Sequence, residues 1–280
     1  MASLRIATWN LLHGQRIPPA DSGINNFSAN LHEIADRIAS AKIDVIGLEE
    51  IDAHQDRSDT TEQIEIIAQR LGAKDFAYAR TVIGTPGVKW RKVKRDEAVL
   101  NPADSLPSYG IGLISQVPVK QWQVLPLGRS LIGLPLAVPG VRKNGKPGVQ
   151  FIYVKDEPRL ALAATLESGV TVVVTHLSFV PLVNLYQLWR VKRWIGNMPG
   201  RHILLGDLNL IGGLPVRSFF LKPRGWISLV KQNSYPSWKP KVQFDYILAD
   251  KKDLDISQLE VNGTGYSDHA PLAVEINFAS

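Results

Sequence analysis

Residues Ile203 to Asn209 read Ile-Leu-Leu-Gly-Asp-Leu-Asn, an apolar run that stops at a glycine and then presents a carboxylate and an amide. If the chain stays extended there, Asp207 and Asn209 lie on one face, because side chains two apart point the same way. That pairing suits a site handling an oxyanion and a proton, although Gly-Asp-x-Asn is equally ordinary turn chemistry after a strand. Asp268-His269 puts a possible metal ligand and a proton-transfer or phosphate-binding imidazole into one turn. Glu49, Glu50 and Asp52 form a third cluster. Three acids so close repel one another unless solvent, basic groups or a cation compensates. A solvated loop and a divalent-cation site, which takes carboxylate oxygens, are both open readings.

The elements that must carry these groups can be read from periodicity. Leu4 to Asn10 reads as a strand ending in a polar residue. From a cap at Ser28 or Asn30, Leu31, Ile34, Ala35, Ile38 and Ala39 recur at helical spacing up to Ala41. Asp44 to Leu48 is a short strand ending at the acids. A second helix runs from Thr61 through Ile64, Ile67, Ala68 and Leu71 to a C-cap at Gly72. Phe76 to Val82 and Gly110 to Ile114 read as strands.

Two long connections, Gly84 to Ser108 and Gly128 to Gly148, carry clustered cations, and connections of this length are usually functional. In the first, Lys89-Trp90-Arg91-Lys92-Val93-Lys94-Arg95 surrounds a tryptophan with cations; Trp90 and Lys92 could grip phosphate and stack on a base, or the segment could be an exposed charged hairpin. Val149 to Val154, Leu160 to Leu166 and Val170 to Thr175 are spaced as a meander, the last ending in His176. Leu182 to Trp194 is an amphipathic helix, and His202 to Gly206 returns as a strand. Arg217, Lys222, Arg224, Trp226, Trp238, Lys239 and Lys241 form a second basic and aromatic region that could face the same ligand as the first. Gln243 to Leu248, carrying Asp245, and Leu272 to Phe278 are the last strands.

Composition bounds what such a site can be. The chain has 280 residues, 45% hydrophobic and 21% charged, which is a folded protein with room for a sizeable core, and no linker forces a second domain. It contains no cysteine, so disulfides, thiolate metal sites and cysteine nucleophiles are excluded and any metal is held by oxygen or imidazole. The net charge of +6 favours a polyanionic partner, or merely keeps the protein soluble. No apolar run approaches a membrane span and Met1 to Ile6 leads straight into a strand with no secretory h-region, so a cytoplasmic protein without stable membrane insertion is expected.

Polar residues thus recur at strand ends: Asn10, Glu50, His176, Asp207, Asn209, Asp245, and Asp268 with His269. The ordered set Thr8-Trp9-Asn10, Gly47-Leu48-Glu49-Glu50, Thr175-His176-Leu177, Gly206-Asp207-Leu208-Asn209, Phe244-Asp245-Tyr246 and Ser267-Asp268-His269 resembles the endonuclease/exonuclease/phosphatase superfamily. Its members include pancreatic-type deoxyribonucleases, abasic-site endonucleases, neutral sphingomyelinases and inositol polyphosphate 5-phosphatases. The resemblance implies an α+β fold, a four-layer α/β/β/α sandwich of two mainly antiparallel sheets flanked by helices, over one domain spanning 1–280.

It also implies roles. Glu50 and Asp268 would bind Mg2+, or Mn2+, with Asn10 touching the metal or the phosphate. Glu49 stands where the family usually has Gln, which leaves the choice of main ligand between the two acids open. Asp207 would orient or deprotonate the attacking water, Asn209 and His176 would stabilise charge on the phosphoryl oxygens, and His269, held by Asp245, would bind the scissile phosphate or act as acid/base partner. Such a set is sufficient for in-line phosphoryl transfer, which needs positioning and charge neutralisation more than covalent help. Arg159 could add a phosphate contact or form a surface ion pair. Histidine at position 176, where abasic-site endonucleases resemble one another in carrying tyrosine, leans to the deoxyribonuclease, sphingomyelinase and phosphatase branches. The expected activity is a Mg2+-dependent phosphodiesterase acting on nucleic acid, with a phosphatase or phospholipid phosphodiesterase as the alternative and a non-catalytic binding module as a third reading.

Overall fold

Each of the two large sheets holds one parallel pair of strands in an otherwise antiparallel surround, and these two pairs organise the molecule. A parallel pair cannot be closed by a tight turn and needs a crossover, usually a helix. In the computed structural model, which describes residues 3–17, 26–141, 147–217, 225–250 and 254–278, both crossovers are helical. Strand β1 (Ser3–Asn10) passes through α1 (Phe27–Ser40) to β2 (Val45–Ala53), and the second pair, named below, is joined in the same way.

The first sheet continues from β2. Helix α2 (Gln63–Leu71) leads to β3 (Asp75–Thr85), β4 (Lys89–Lys92) and β5 (Ser108–Ser115). The second sheet and a separate ribbon follow: β6 (Val119–Gly128), β7 (Leu134–Val141), β8 (Pro147–Val154), β9 (Arg159–Leu166), β10 (Val170–Thr175), α3 (Val183–Ile195), β11 (Arg201–Asp207), β12 (Ile227–Ser228) and β13 (Asp245–Ala249). The chain closes with β14 (Asp255–Leu259) and β15 (Leu272–Asn277), which return to the first sheet. The first sheet has the order β14-β15-β1-β2-β5-β3-β4, the second β12-β13-β11-β10-β9-β6, and β7 and β8 pair only with each other. The parallel pairs are β1 with β2 and β10 with β11.

Between the sheets lies an apolar layer that includes Ile6, Val45, Leu113, Leu162, Val172, Val174, Ile203, Leu205 and Val274. Helices α1 and α2 cover the outer face of the first sheet with Leu31, Ile34, Ile38 and Ile67 over Trp9, Ile46 and Leu48. Helix α3 covers the second with Leu188, Val191 and Ile195 over Val173, Leu204 and Leu248. The four-layer α/β/β/α sandwich is therefore the observed fold. At its centre the sheets nearly touch: a methyl on Gly47 would lie 2.1 Å from a Leu205 methyl and 2.7 Å from one of Val174. Among the described residues no helix is long and apolar enough to cross a membrane.

Several local expectations change. The cap of α1 is Asn26, earlier than both Ser28 and Asn30, its side chain accepting from the Ala29 amide. Strand β2 does not stop at Leu48 but carries Glu49, Glu50 and Asp52 within it, so the acids are not in a solvated loop. The expected three-strand meander is two strands only, because β9 pairs with β10 and β6 while β8 turns away to pair with β7. The connection after Gly84 is in its first part a hairpin of β3 and β4, exposed and charged. Trp226 is 6% exposed and packs under α3 rather than facing a ligand, while Lys222 and Arg224 lie outside the described residues.

Candidate active site

The C-terminal ends of β1 and β2 and those of β10 and β11 meet at one edge of the sandwich, and these ends carry Asn10, Glu50, His176 and Asp207. Alternation alone would send Glu49 and Glu50 to opposite faces of β2. A bulge between Leu48 and Ile51, with Glu50 at φ 55°, breaks that alternation. Glu49 turns inward and accepts a 2.7 Å hydrogen bond from the Thr8 hydroxyl, while Glu50 reaches across to 4.0 Å from His176 Nδ1. Gly206 makes room for this: at φ 130° it has the conformation glycine favours, and a Cβ there would collide with the Thr175 carbonyl and crowd the Glu49 carboxylate.

Asp207 and Asn209 do share the site, but not through an extended chain. Asn209 is left-handed at φ 48°, and its backbone N–H donates to Asp207 Oδ1 at 2.9 Å, so the turn and the site are the same object. The Asn209 amide donates to the Leu177 carbonyl at 3.0 Å and lies 3.2 Å from His176 Nε2. Its two donors are thereby spent within the protein, and it holds His176 in place. Asn10 is a bridge: its amide donates to Glu50 Oε1 at 3.1 Å and to Asp207 Oδ2 at 3.2 Å, while its oxygen accepts from the Leu12 amide. The oxygen a cation would need is thus engaged by the backbone.

The turn at Ser267 to His269 is pinned to the end of β1. Ser267 Oγ donates to the Asn10 carbonyl at 2.6 Å, and the Trp9 indole donates to the His269 carbonyl. This places His269 with Nδ1 2.8 Å from Asp245 Oδ2 and Nε2 3.8 Å from Asp207 Oδ2. Tyr235 packs on its ring at 5.0 Å.

The two histidines are driven in opposite directions. Burial, with Arg159 and His269 nearby, holds His176 well below the ordinary histidine pKa. His269 is also buried, yet Asp245, Asp207 and Asp268 together hold it well above that range. Groups pushed apart in this way are suited to separate acid and base tasks. Burial raises Asp207 to about 6, partly offset by His269. Glu50 is raised to about 7, first by burial and then by Asp268, which is raised as well. Glu49, fully buried and close to Asp245, is pushed well above the usual carboxylate range.

Two groups of side chains could hold a cation. Asp207, Asp245 and His269 present ligand atoms within 4.8 Å of one another, but there the imidazole already links the carboxylates. Asp268 raises the pKa of Glu50, and neither carboxylate is hydrogen-bonded to a lysine or arginine side chain among the described residues. Two neighbouring carboxylates with only the His269 imidazolium near them fit a hard divalent ion, which takes oxygen ligands and keeps several waters.

Arg159 is neither a surface ion pair nor an exposed arm. It is 6% exposed, 3.9 Å from Asp156, and its Nε has no hydrogen-bond partner among the described residues. Trp90 lies at the site's end of the first sheet but three strands from Glu50, roughly 14 Å at ordinary strand spacing. Gln55, just past β2, ties that hairpin to the site edge through the Gly84 carbonyl and the Thr85 hydroxyl, and Arg129 lies over the Trp90 ring at 5.6 Å. Lys92 is exposed beside it.

Of the second basic and aromatic region, Trp238 is 58% exposed in a segment anchored to the site by Ser237, whose amide donates to the Asp268 carbonyl. Sequence reasoning passed over Arg57. The signal for Arg57 was its separation of five residues from Asp52, which it meets in a bidentate pair.

Comparison with known proteins agrees with the fold. The Endonuclease/Exonuclease/phosphatase family model matches residues 7–269. No curated protein matches the chain in sequence. A Bacteroides vulgatus endonuclease/exonuclease/phosphatase is similar over all of both chains, at 14% identity and a TM-score of 0.63. D. rerio TDP2, solved with a single-strand DNA product, is 15% identical with a TM-score of 0.57, covering 99% of this chain and 100% of its own. The Bacteroides thetaiotaomicron mannosyl-6-phosphatase Bt3783 is 14% identical with a TM-score of 0.58, covering 98% and 100%. At these identities the likeness to solved structures is one of fold.

Proposed function

This chain belongs to the endonuclease/exonuclease/phosphatase family, and on that premise we propose that it is a Mg2+-dependent phosphodiesterase acting on nucleic acid. The observation that carries the reading is the convergence on Asp207. Asn10, Asn209, His176 and His269, from four separate segments, all lie within 3.8 Å of its carboxylate.

Glu50 and Asp268 would hold Mg2+, or Mn2+, which supplies positive charge to the non-bridging oxygens as the phosphoryl group transfers. Asp207, at about 6, is ionised at neutral pH and more basic than a free aspartate, so it takes the proton of a water attacking in line. His269, protonated and braced by Asp245, directs Nε2–H at the phosphate and can pass its proton to the leaving oxygen. His176 is neutral, and its Nδ1 is buried without a hydrogen-bond partner among the described residues, which suits a donor kept for a substrate oxygen. Asn209 contributes by orienting His176, and Asn10 by keeping Glu50 and Asp207 in register.

Nucleic acid is favoured by what surrounds this centre. Exposed Lys89, Lys92, Lys94 and Arg95 lie around Trp90 on one side, and exposed Trp238, Lys239 and Lys241 lie beside Asp268 on the other. Cations that track a backbone and aromatics that stack on bases are the elements of sequence-tolerant binding to single strands. A second reading, a phospholipid phosphodiesterase or phosphatase, is favoured by exposed Leu182, Tyr186 and Ile211 near His176 and Asn209.

The test is one screen with Mg2+ or Mn2+ over plasmid, single-stranded DNA, RNA, sphingomyelin and phosphoinositides, with Asp207→Asn as control. Metal-dependent cleavage of a nucleic acid, lost in the control, is expected. Intact nucleic acids beside hydrolysis of another ester would overturn the nuclease reading and keep the chemistry.

A further inference from the structure

We propose that Arg57 forms a second anion-binding site at the edge of the catalytic centre, taking a phosphate of the substrate that neighbours the one being cut. The inference rests on reading the centre as a phosphodiesterase site.

Arg57 lies in a 3₁₀ turn, Asp56–Ser58, immediately beyond β2, the strand that carries Glu50. Its Nε and Nη2 donate to the two oxygens of Asp52 at 2.8 and 2.7 Å. The Asp52 side chain has no exposure and also accepts from the Ser58 hydroxyl at 2.9 Å. Burying a carboxylate is costly unless it is paired and hydrogen-bonded, so this acid, kept inside the strand, fixes the guanidinium tightly.

A guanidinium has five N–H donors in a rigid fork. Asp52 uses two of them, and among the described residues no other acceptor is bonded to Arg57. The side chain is 26% exposed, so the remaining three donors have access to solvent. The Tyr109 ring backs the guanidinium at 5.7 Å and limits where it can swing.

Its surroundings place it beside the chemistry. The Gln63 side chain accepts from the Asp52 backbone amide and donates to the His13 carbonyl, which ties the Asp52–Arg57 pair to the turn that follows β1, and Glu50 strengthens the hold of Arg57 on its proton. Arg57 therefore lies just beyond the strand that carries Glu50 and beside the turn that follows β1. An anchored fork with unused donors next to a phosphoesterase centre is complementary to a phosphate oxygen, which such a fork grips in two places.

The experiment compares kcat/KM, with Mg2+, on bis(p-nitrophenyl) phosphate, which has one phosphate, and on thymidylyl-thymidine with and without a terminal phosphate at either end. The parent is expected to prefer one phosphorylated dinucleotide by about tenfold, the worth of a charge-assisted hydrogen bond, and to do so through KM. Arg57→Ala and Arg57→Lys are expected to erase that preference. Since Arg57→Ala strands a buried carboxylate, the double variant Asp52→Asn/Arg57→Met is measured beside it, with melting temperature as the check on folding.

A preference that survives in a folded variant would overturn the proposal. So would an equal fall on all four substrates, which is what a purely structural ion pair gives. If the parent hydrolyses bis(p-nitrophenyl) phosphate but none of the dinucleotides, the nucleic-acid reading has failed while Arg57 remains testable. In that case pyrophosphate should inhibit the parent about tenfold better than orthophosphate, and equal ratios in parent and variants would overturn the site.

Discussion

Asp207 and Asp245 stand directly opposite each other as a register pair of β11 and β13, two carboxylates on one edge of the sheet. Like charges in that position destabilise a sheet. His269 answers both, with one ring nitrogen 2.8 Å from Asp245 and the other 3.8 Å from Asp207.

Removing the imidazole therefore costs more than a hydrogen bond. His269→Ala is expected to lose about 3 kcal/mol or more of stability, as when one member of a buried ion pair is deleted. The raised pKa of His269 means that its contribution is complete below the usual histidine range and shrinks as pH climbs through the folded value, so the deficit narrows in alkaline buffer. Asp245→Asn is expected to lower kcat comparably to His269→Ala, and the double variant to be little worse than either. Additive losses would show that the two residues do not act as a unit.

Asp207→Asn keeps the shape of the side chain and removes its basicity. A loss of about 10²- to 10⁴-fold in kcat is expected, the usual worth of a general base, with an unchanged or higher melting temperature because one of two opposed charges is gone. In the parent, activity should fall on the acid side of about pH 6, where Asp207 takes up its proton, and the residual activity of the variant should lack that limb.

Glu50 carries a raised pKa of about 7, so its neutral form favours the fold. That contribution is present at pH 5 and lost as pH rises past 7, while cation binding needs the ionised form and releases the proton. Mg2+ should therefore raise the melting temperature more at pH 8 than at pH 5. Glu50→Gln should lose most of that gain. Glu49→Gln should keep it and melt higher than the parent at pH 8, since Glu49 is buried against Thr8 and Asp245 rather than facing Asp268. The opposite pattern would make Glu49 the ligand.

Trp238→Ala is expected to raise KM for single-stranded DNA about tenfold, the scale of one base stacked on an aromatic ring, and to affect bis(p-nitrophenyl) phosphate much less. Lys92→Ala should weaken DNA binding uniformly and reduce the slope of log affinity against log salt by about one. An unchanged slope would remove Lys92 from the DNA path.

Much of the site was legible because its residues end buried strands, where an apolar run gives way to a single polar side chain: Asn10, His176, Asp207. The edge strands were not. In β14, Asp-Ile-Ser-Gln-Leu is half exposed and carries little apolar signal, and β6 contains Pro126 and borders solvent along one side. The departure of β8 from the meander follows from a partner choice that neighbouring sequence does not encode. The bulge that turns Glu49 and Glu50 to the same side depends on the pairing of β2 with β5, thus on residues some sixty positions away. Asp52 reads in sequence as one more acid of a cluster, and only its burial against Arg57 separates it from the other two.

Gly47 lies three residues before Glu50 and the Leu205 methyl that crowds it lies two before Asp207. The hydrophobic interior thus acts as a caliper, and the span across which a phosphate would be held is inherited from it. Substrate preference can drift freely in the rim, at Trp90, Arg57 or Trp238, without disturbing that measure. A change of reaction would have to begin in the core.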